Sequence, residues 1–266
     1  MSIRQLSKDI RLRSEMFAEV VSACSTLLKY APEAKESKEY VLKRMSRYSM
    51  DKFHIGYFPD DSNLNLLYDI VDKDTIRQLR LVYTKRELKR GYVEEEDKGF
   101  FNRHQVIFPF TDEYGNIIAL AGRTLLSDKK QEELDVSKYK NTIFNKSLHL
   151  FGLHKAKNAI QVNDYAFVVE GQMDCITCHA NGIHNVVAMT CSSLSRYQVY
   201  LLKKMTNTLY LLFDNDSAGN KAFHKAYKQY SNRVNIKRLK IPNDFKDIDQ
   251  CLREGGECDV FDMLNK

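Results

Sequence analysis

Tyr165-Ala166-Phe167-Val168-Val169-Glu170-Gly171-Gln172-Met173-Asp174 and Leu209-Tyr210-Leu211-Leu212-Phe213-Asp214-Asn215-Asp216-Ser217-Ala218-Gly219 decide the fold. Each begins with a short apolar run rich in aromatic or β-branched residues, stops on acid and continues at helical spacing, the pattern of a strand in a parallel sheet followed by its crossover helix. Working outward, strands are expected at 165–169, 184–190, 208–213 and 233–241. Helices are expected near 174–181, 195–205 and 217–230. Such alternation implies a four-stranded parallel sheet covered by helices on both faces, with right-handed crossovers that bring every strand's carboxyl end to one edge.

That edge collects acid: Glu170 and Asp174 after the first strand, Asp214 and Asp216 after the third, Asp247 and Asp249 after the fourth. In open α/β sheets the functional crevice lies beyond the carboxyl ends of the strands. One acid after a strand is more simply a helix N-cap or first-turn residue. Acid pairs at three strand ends, with little basic residue beside them, repel one another unless a cation sits between them. A hard divalent ion with oxygen ligands is the simplest occupant.

The chain of 266 residues is long enough for one sizeable domain or two smaller ones. Its 43% hydrophobic and 29% charged residues and mean hydropathy of -0.47 argue against membrane residence. No apolar run approaches the ~18 residues that span a bilayer. The polar start, Met1 to Asp9, has no signal-peptide apolar core. Charges of 41 Lys and Arg against 35 Asp and Glu leave +6, compatible with a polyanionic partner without requiring one. Cys24, Cys175, Cys178, Cys191, Cys251 and Cys258 are expected to be reduced thiols. Cys175-Ile176-Thr177-Cys178-His179 has the spacing of c-type haem attachment, but haem is set aside for want of an export signal, and zinc for want of a second ligand pair.

Before the alternating half, residues 9–31, 37–45 and a segment from Ser49 have helical periodicity, interrupted by Pro32. Phe53 to Asp61 is strand-like, 62–91 returns to helical spacing, and Glu94-Glu95-Glu96-Asp97 is expected to be a solvated loop. Residues 104–110 and 117–121, joined by Asp112-Glu113-Tyr114-Gly115-Asn116, predict a β-hairpin, and 127–137 a surface loop. Ser137 to His149 carries three lysines and no acid among aromatic and amide side chains, a mixture suited to phosphates and exposed bases.

At these residues the chain resembles a known family. Glu170-Gly171-Gln172-Met173-Asp174 and Phe213-Asp214-Asn215-Asp216-Ser217-Ala218-Gly219 look like the TOPRIM signature of primases, topoisomerases and some nucleases. Phe53 to Pro59, Val106 to Phe110, Gly122-Arg123, Lys138 to Asn141, Phe144-Asn145-Lys146 and Leu150 to Leu153 follow in the order seen in bacterial-type DNA primase catalytic cores. The resemblance covers roughly 30–255. It implies an α/β fold: an N-terminal mixed α/β lobe with an antiparallel hairpin over 1–155, then a TOPRIM domain over 156–266. It also implies a nucleotidyltransferase, a DNA-directed RNA polymerase that makes RNA primers on single-stranded DNA from NTPs during DNA replication.

Two or more magnesium or manganese ions are implied, with no zinc and no haem. Glu170, Asp214 and Asp216 become the catalytic metal-binding acids, and Asp174, Asp247 and Asp249 further metal residues. Arg103, Arg123, Lys138, Tyr139, Lys140, Asn141 and Lys146 fall on the template and nucleotide surface. Gln105 departs from the pattern where a second arginine is expected. The family's N-terminal zinc domain and C-terminal helicase-contacting domain have no counterpart in the sequence, which resembles a stripped-down core served by a replicative helicase in trans. The implied setting is the bacterial cytoplasm or nucleoid with no membrane partner, a phage being another source. A TOPRIM nuclease and a non-catalytic single-strand-binding adaptor are the alternative readings.

Overall fold

The structure, a computed structural model, describes residues 3–89 and 92–255, with side chains over 8–86 and 95–255. Met1, Ser2 and Cys258 therefore lie outside the described residues. The chain forms two compact units: residues 1–110 with 116–144, and 111–115 with 145–266. Residues 145–155, assigned above to the first lobe, thus pack with the second unit, where Phe151 pairs with Ala188.

In the first unit, helix α1 (Ile3–Tyr30) buries Phe17, Val20, Val21, Cys24, Leu27 and Leu28 of the apolar positions at helical spacing, whereas Ile10 and Leu12 near its start are exposed. A 3-10 turn begins at Pro32, which the missing N–H allows. Helices α2 (Lys35–Arg44) and α3 (Arg47–Lys52) follow, the latter capped by Ser46, whose Oγ accepts the Ser49 N–H at 3.2 Å. Strand β1 (Gly56–Tyr57) leads to the short helices α4 (Asn65–Tyr68) and α5 (Lys73–Gln78).

Strands β2 (Val82–Lys89) and β3 (Tyr92–Gly99) then pair antiparallel. This corrects two expectations, helical spacing over 82–89 and a solvated loop at 94–97; residues 90 and 91 lie outside the described residues. The charged residues of one strand face charges of the other: Lys85 lies opposite Glu96 and Arg86 opposite Glu95, with an Arg86–Glu95 ion pair at 2.8 Å. With charge on both faces, the pair has no apolar alternation to mark it. Asp97 accepts from Tyr68 Oη and Thr84 Oγ1 and pairs with Lys73 at 2.7 Å and Arg77 at 3.3 Å. These cations and donors hold its carboxyl below the usual range despite burial.

Strands β4 (Val106–Thr111) and β5 (Ile117–Arg123) are neighbours joined by the expected turn, and β1 and β6 (Tyr139–Asn141) flank them in the order β1-β4-β5-β6. Residues 127–137, read as a loop, include the exposed helix α6 (Asp128–Glu133). A Cβ added to Gly56 would lie 2.6 Å from Cys24 Cβ and 2.9 Å from its backbone carbon, so α1 rests directly on β1 at this glycine.

In the second unit, α7 (Leu153–Asn163) precedes β7 (Ala166–Val169), α8 (Gln172–Ala180), β8 (Val186–Ala188), α9 (Arg196–Lys203), β9 (Thr208–Leu212), α10 (Ser217–Tyr230), β10 (Asn235–Arg238) and α11 (Ile248–Glu254). The strands are all parallel in the order β10-β9-β7-β8, as the alternation requires. Val168, Val187, Leu209, Leu211, Ile160, Leu202, Ala222 and Ala226 share one core. Cys24, Cys175, Cys178 and Cys191 are free thiols, whereas Cys251 is disulfide-bonded and corrects the expectation for that residue. Among the described residues no helix is long and apolar enough to cross a membrane.

The close approach at Gly56 sets a test of the first unit. Gly56→Ala is expected to lower stability by about 1–3 kcal/mol through overpacking. Chemical denaturation reads this as a lower midpoint with an unchanged slope.

Candidate active site

Parallel pairing of β7 with β9 sets Val169 beside Leu212, so the chain after each strand begins at the same edge. There the Asp214 N–H donates to Glu170 Oε1 at 3.1 Å. Glu170 is half-buried, and burial together with the Asp216 charge raises its pKa against the lowering effects of the Asp214 N–H and Lys246. Asp214 is pushed up to about 7 by burial, then by the charges of Glu170, Asp247 and Asp216. Asp174, in the first turn of α8, accepts the Gly171 N–H at 3.0 Å and is raised to about 8, chiefly by burial and then by Asp214, Asp247 and Asp249. The carboxylates act on one another as a single electrostatic group.

Several of them also cap helices. Asp216 Oδ1 accepts the Gly219 N–H at 2.8 Å at the start of α10, and Asp247 Oδ1 accepts the Gln250 N–H at 2.8 Å at the start of α11. Asp249 is buried, with Oδ1 accepting from Thr177 Oγ1 at 2.6 Å and Oδ2 facing the Arg253 guanidinium at 3.0 Å. Both of its oxygens therefore have structural partners. Gly219 lets α10 begin against the site: an added Cβ would meet the Asp214 carbonyl oxygen at 2.2 Å.

Two residues missing from the expected set complete this edge. Asn215 donates through Nδ2 to the carbonyls of Ile241, Pro242 and Phe245 at 2.9–3.1 Å, and its N–H reaches the Lys246 carbonyl at 2.8 Å. It fastens the loop bearing Asp247 to the loop bearing Asp214. Lys246 is the cation whose charge opposes the rise at both Glu170 and Asp214. Its place beside Asp247 was visible in the sequence, but its reach to acids more than thirty residues away was not.

Among the described residues no group of three or more His, Cys, Asp or Glu is arranged as it stands to hold a metal ion. The chemistry of the donors nevertheless fits a hard divalent cation: Glu170, Asp214 and Asp216 offer carboxylate oxygens, and the first two are raised by burial and mutual repulsion. A cation there would favour their ionised forms.

The first unit carries most of the expected basic surface. Arg123 Nη1 donates to Tyr139 Oη at 2.9 Å, and its guanidinium lies over the Tyr40 and Tyr139 rings at 5.2 and 5.3 Å. Tyr139 and Asn141 share one face of β6, and the buried Asn141 Oδ1 has no hydrogen-bond donor among the described residues. Lys140 points to the other face, 4.1 Å from the Phe100 centroid, and burial lowers its pKa. With Lys98, Arg103 and Ser137 it lines a cleft of about 480 Å3. Arg103 also borders a second cleft, of about 420 Å3, with Gln105 and Lys130. Gln105, in place of the expected arginine, donates to Tyr57 Oη at 3.3 Å. Lys138 is exposed, and Lys146 belongs to the second unit with the acids.

Comparison with known proteins agrees with both halves. Residues 25–157, half the chain, match the family described as DNA primase catalytic core, N-terminal domain. The chain belongs to the DNA primase catalytic-core family. Residues 167–252 match the Toprim-like family, the region of the parallel sheet. A DNA primase of Clostridium acetobutylicum is 35% identical over 228 residues, 84% of this chain and 36% of that protein. A DNA primase of Aquifex aeolicus is 26% identical over 275 residues, 100% of this chain and 51% of that protein. The chain thus spans about a third to a half of these primases.

Among solved structures, the zinc-binding and RNA polymerase domains of the Aquifex aeolicus primase superpose with a TM-score of 0.77 at 27% identity, over 100% of this chain and 63% of that one. A DnaG primase catalytic domain bound to single-stranded DNA shares the fold at a TM-score of 0.73 and 23% identity, over 95% of this chain and 80% of that one.

The raised carboxyls fix the sign of a pH effect. Between the ordinary value of 3.8 and about 7 for Asp214 or about 8 for Asp174, the folded chain holds protons that the unfolded chain has lost. Their contribution therefore destabilises the metal-free chain progressively as pH rises through that window. Asp214→Asn should flatten the fall, raising Tm relative to wild type more at about pH 8 than at about pH 5. Identical pH dependence in the two proteins, by thermal melts in chelator, would contradict the assignment.

Proposed function

We propose that this chain is a DNA primase core that makes short RNA primers on single-stranded DNA from nucleoside triphosphates. The observation that carries the proposal is the direct tie between Glu170 and Asp214 on neighbouring parallel strands, in a chain whose two halves match the two primase-core families. In the reaction a primer 3′-hydroxyl attacks the α-phosphorus of the incoming triphosphate. A new P–O bond forms as the bond to pyrophosphate breaks, and the hydroxyl proton passes to solvent water.

Bound magnesium or manganese, in two or more ions, would supply activation of the attacking oxygen and neutralisation of charge on the leaving one. Glu170, Asp214 and Asp216 would hold these ions, with Asp174 and Asp247 as further members of the metal set; Asp249, held by Thr177 and Arg253, would contribute its charge and not a ligand oxygen. The Asp214 N–H orients Glu170, and Gly219 lets α10 begin against the Asp214 backbone. Lys146 is proposed to bind triphosphate phosphates. Arg103, Arg123, Lys138, Lys140 and Asn141 are assigned to template and nucleotide contacts, with Tyr139 stacking on a base.

The division of labour assigns the template surface to the first unit and metal chemistry, with Lys146, to the second. The bacterial source of the relatives supports a bacterial cytoplasmic setting, and a replicative helicase in trans is part of the proposal.

The test is RNA synthesis on defined single-stranded templates with NTPs and magnesium or manganese. Wild type should yield short RNA, and Asp214→Ala should reduce the yield by about 100-fold or more while leaving a cooperative melt. A folded, metal-supplied wild type that makes no RNA, alone or with the helicase, rejects the proposal.

A further inference from the structure

Gln198 is wholly buried in the first turn of α9, and its amide groups serve segments far apart in sequence. Nε2 donates to the carbonyls of Lys146 at 3.2 Å, His149 at 2.7 Å and Met189 at 3.1 Å. Two amide hydrogens are thus shared among three carbonyl oxygens. Oε1 accepts the Ser195 N–H at 3.0 Å, while Ser195 Oγ accepts the Gln198 N–H at 3.0 Å and donates to the Ser147 carbonyl at 2.5 Å. This capping box fixes the start of α9 and grips residues 146–149 at the same time.

The grip reaches the acids through backbone. Met189, whose carbonyl Gln198 holds, donates its N–H to the Val169 carbonyl at 3.0 Å, and Thr190 donates to the Glu170 carbonyl at 2.9 Å. Thr190 sits at φ 53, an uncommon conformation for a β-branched residue, held just beyond β8 beside Glu170. Phe151 and Ala188 exchange backbone hydrogen bonds at 2.9 and 3.0 Å, which keeps 146–151 along β8.

We infer that Gln198 is a positioning residue of the nucleotide site, setting the backbone of Lys146 and the loop beside Glu170 in one register. The inference rests on the primase reading, which assigns Lys146 to triphosphate binding. A neutral amide suits the task. It offers donors to carbonyls without placing a charge in a buried site, and its other end completes the helix cap.

The test compares, in the 266-residue chain, the variants Gln198→Met, Gln198→Glu, Ser195→Ala, Lys146→Ala and the Gln198→Met/Lys146→Ala pair. Gln198→Met should raise the NTP KM about ten-fold or more, as small misplacements do, with single-strand DNA affinity unchanged. Gln198→Glu, which keeps the acceptor and loses the donors, should behave like it. Ser195→Ala, which releases only Ser147 and one cap bond, should have a smaller effect of the same kind.

Lys146→Ala should cost less in the Gln198→Met background than alone, because the lysine is already displaced there. Fully additive effects, or an unchanged KM in a folded Gln198→Met protein, overturn the inference. Should Gln198→Met fail to fold, Ser195→Ala decides by the same KM criterion. If wild type makes no RNA, the primase reading fails, and the clamp is judged by amide exchange over 145–151 and by equilibrium binding of magnesium ATP. Faster exchange with weaker ATP binding in the Gln198 and Ser195 variants supports it; no change in either overturns it.

Discussion

One hydrogen bond, from the Asp214 backbone to the Glu170 carboxylate, makes two strand ends into one site. Parallel pairing of β7 with β9 brings the residues to the same edge, and this bond fixes Glu170 against the start of the neighbouring loop. The arrangement collects negative charge in a half-buried place, which explains the rise of Glu170, Asp214 and Asp174. Helix caps at Asp216 and Asp247, the Arg253 ion pair of Asp249 and the charge of Lys246 relieve part of that repulsion. The relief is incomplete, and the divalent cation proposed for this edge would supply the rest.

The fold holds this charge because its surroundings are stiff. Gly219 lets α10 start against the Asp214 backbone, and Asn215 ties that loop to 241–246 through four hydrogen bonds. Gln198 does the same on the other side of β7, binding 146–149 to the loop after β8. Side-chain amides appear at both places because they can satisfy backbone carbonyls without adding charge beside the acids.

The parallel sheet and its acids were legible because apolar runs ending on acid, each followed by helical spacing, have few other physical readings. The β4–β5 hairpin was legible from its turn residues. The β2–β3 pair was not, since Lys85, Arg86, Glu95 and Glu96 alternate charge with charge. At the site, sequence pointed to Glu170 and Asp214 but could not reveal that Asp249 is committed to Thr177 and Arg253. Ser195 and Gln198 have capping-box spacing, but the carbonyls that Gln198 also holds leave no complementary residue type to recognise. Lys140 and Tyr139 read as one basic-aromatic run, yet strand periodicity sends them to opposite faces of β6.

Burial and mutual repulsion raise the carboxyls of Glu170, Asp214 and Asp174, and the proposed divalent cations would displace the protons that these groups retain. The direct measurement is manganese binding to the 266-residue chain by titration calorimetry near neutral pH, repeated in buffers of different ionisation enthalpy. The account predicts saturable binding that releases protons and is lost or strongly weakened in Asp214→Asn. Binding without proton release, or binding equally strong in that variant, would contradict it.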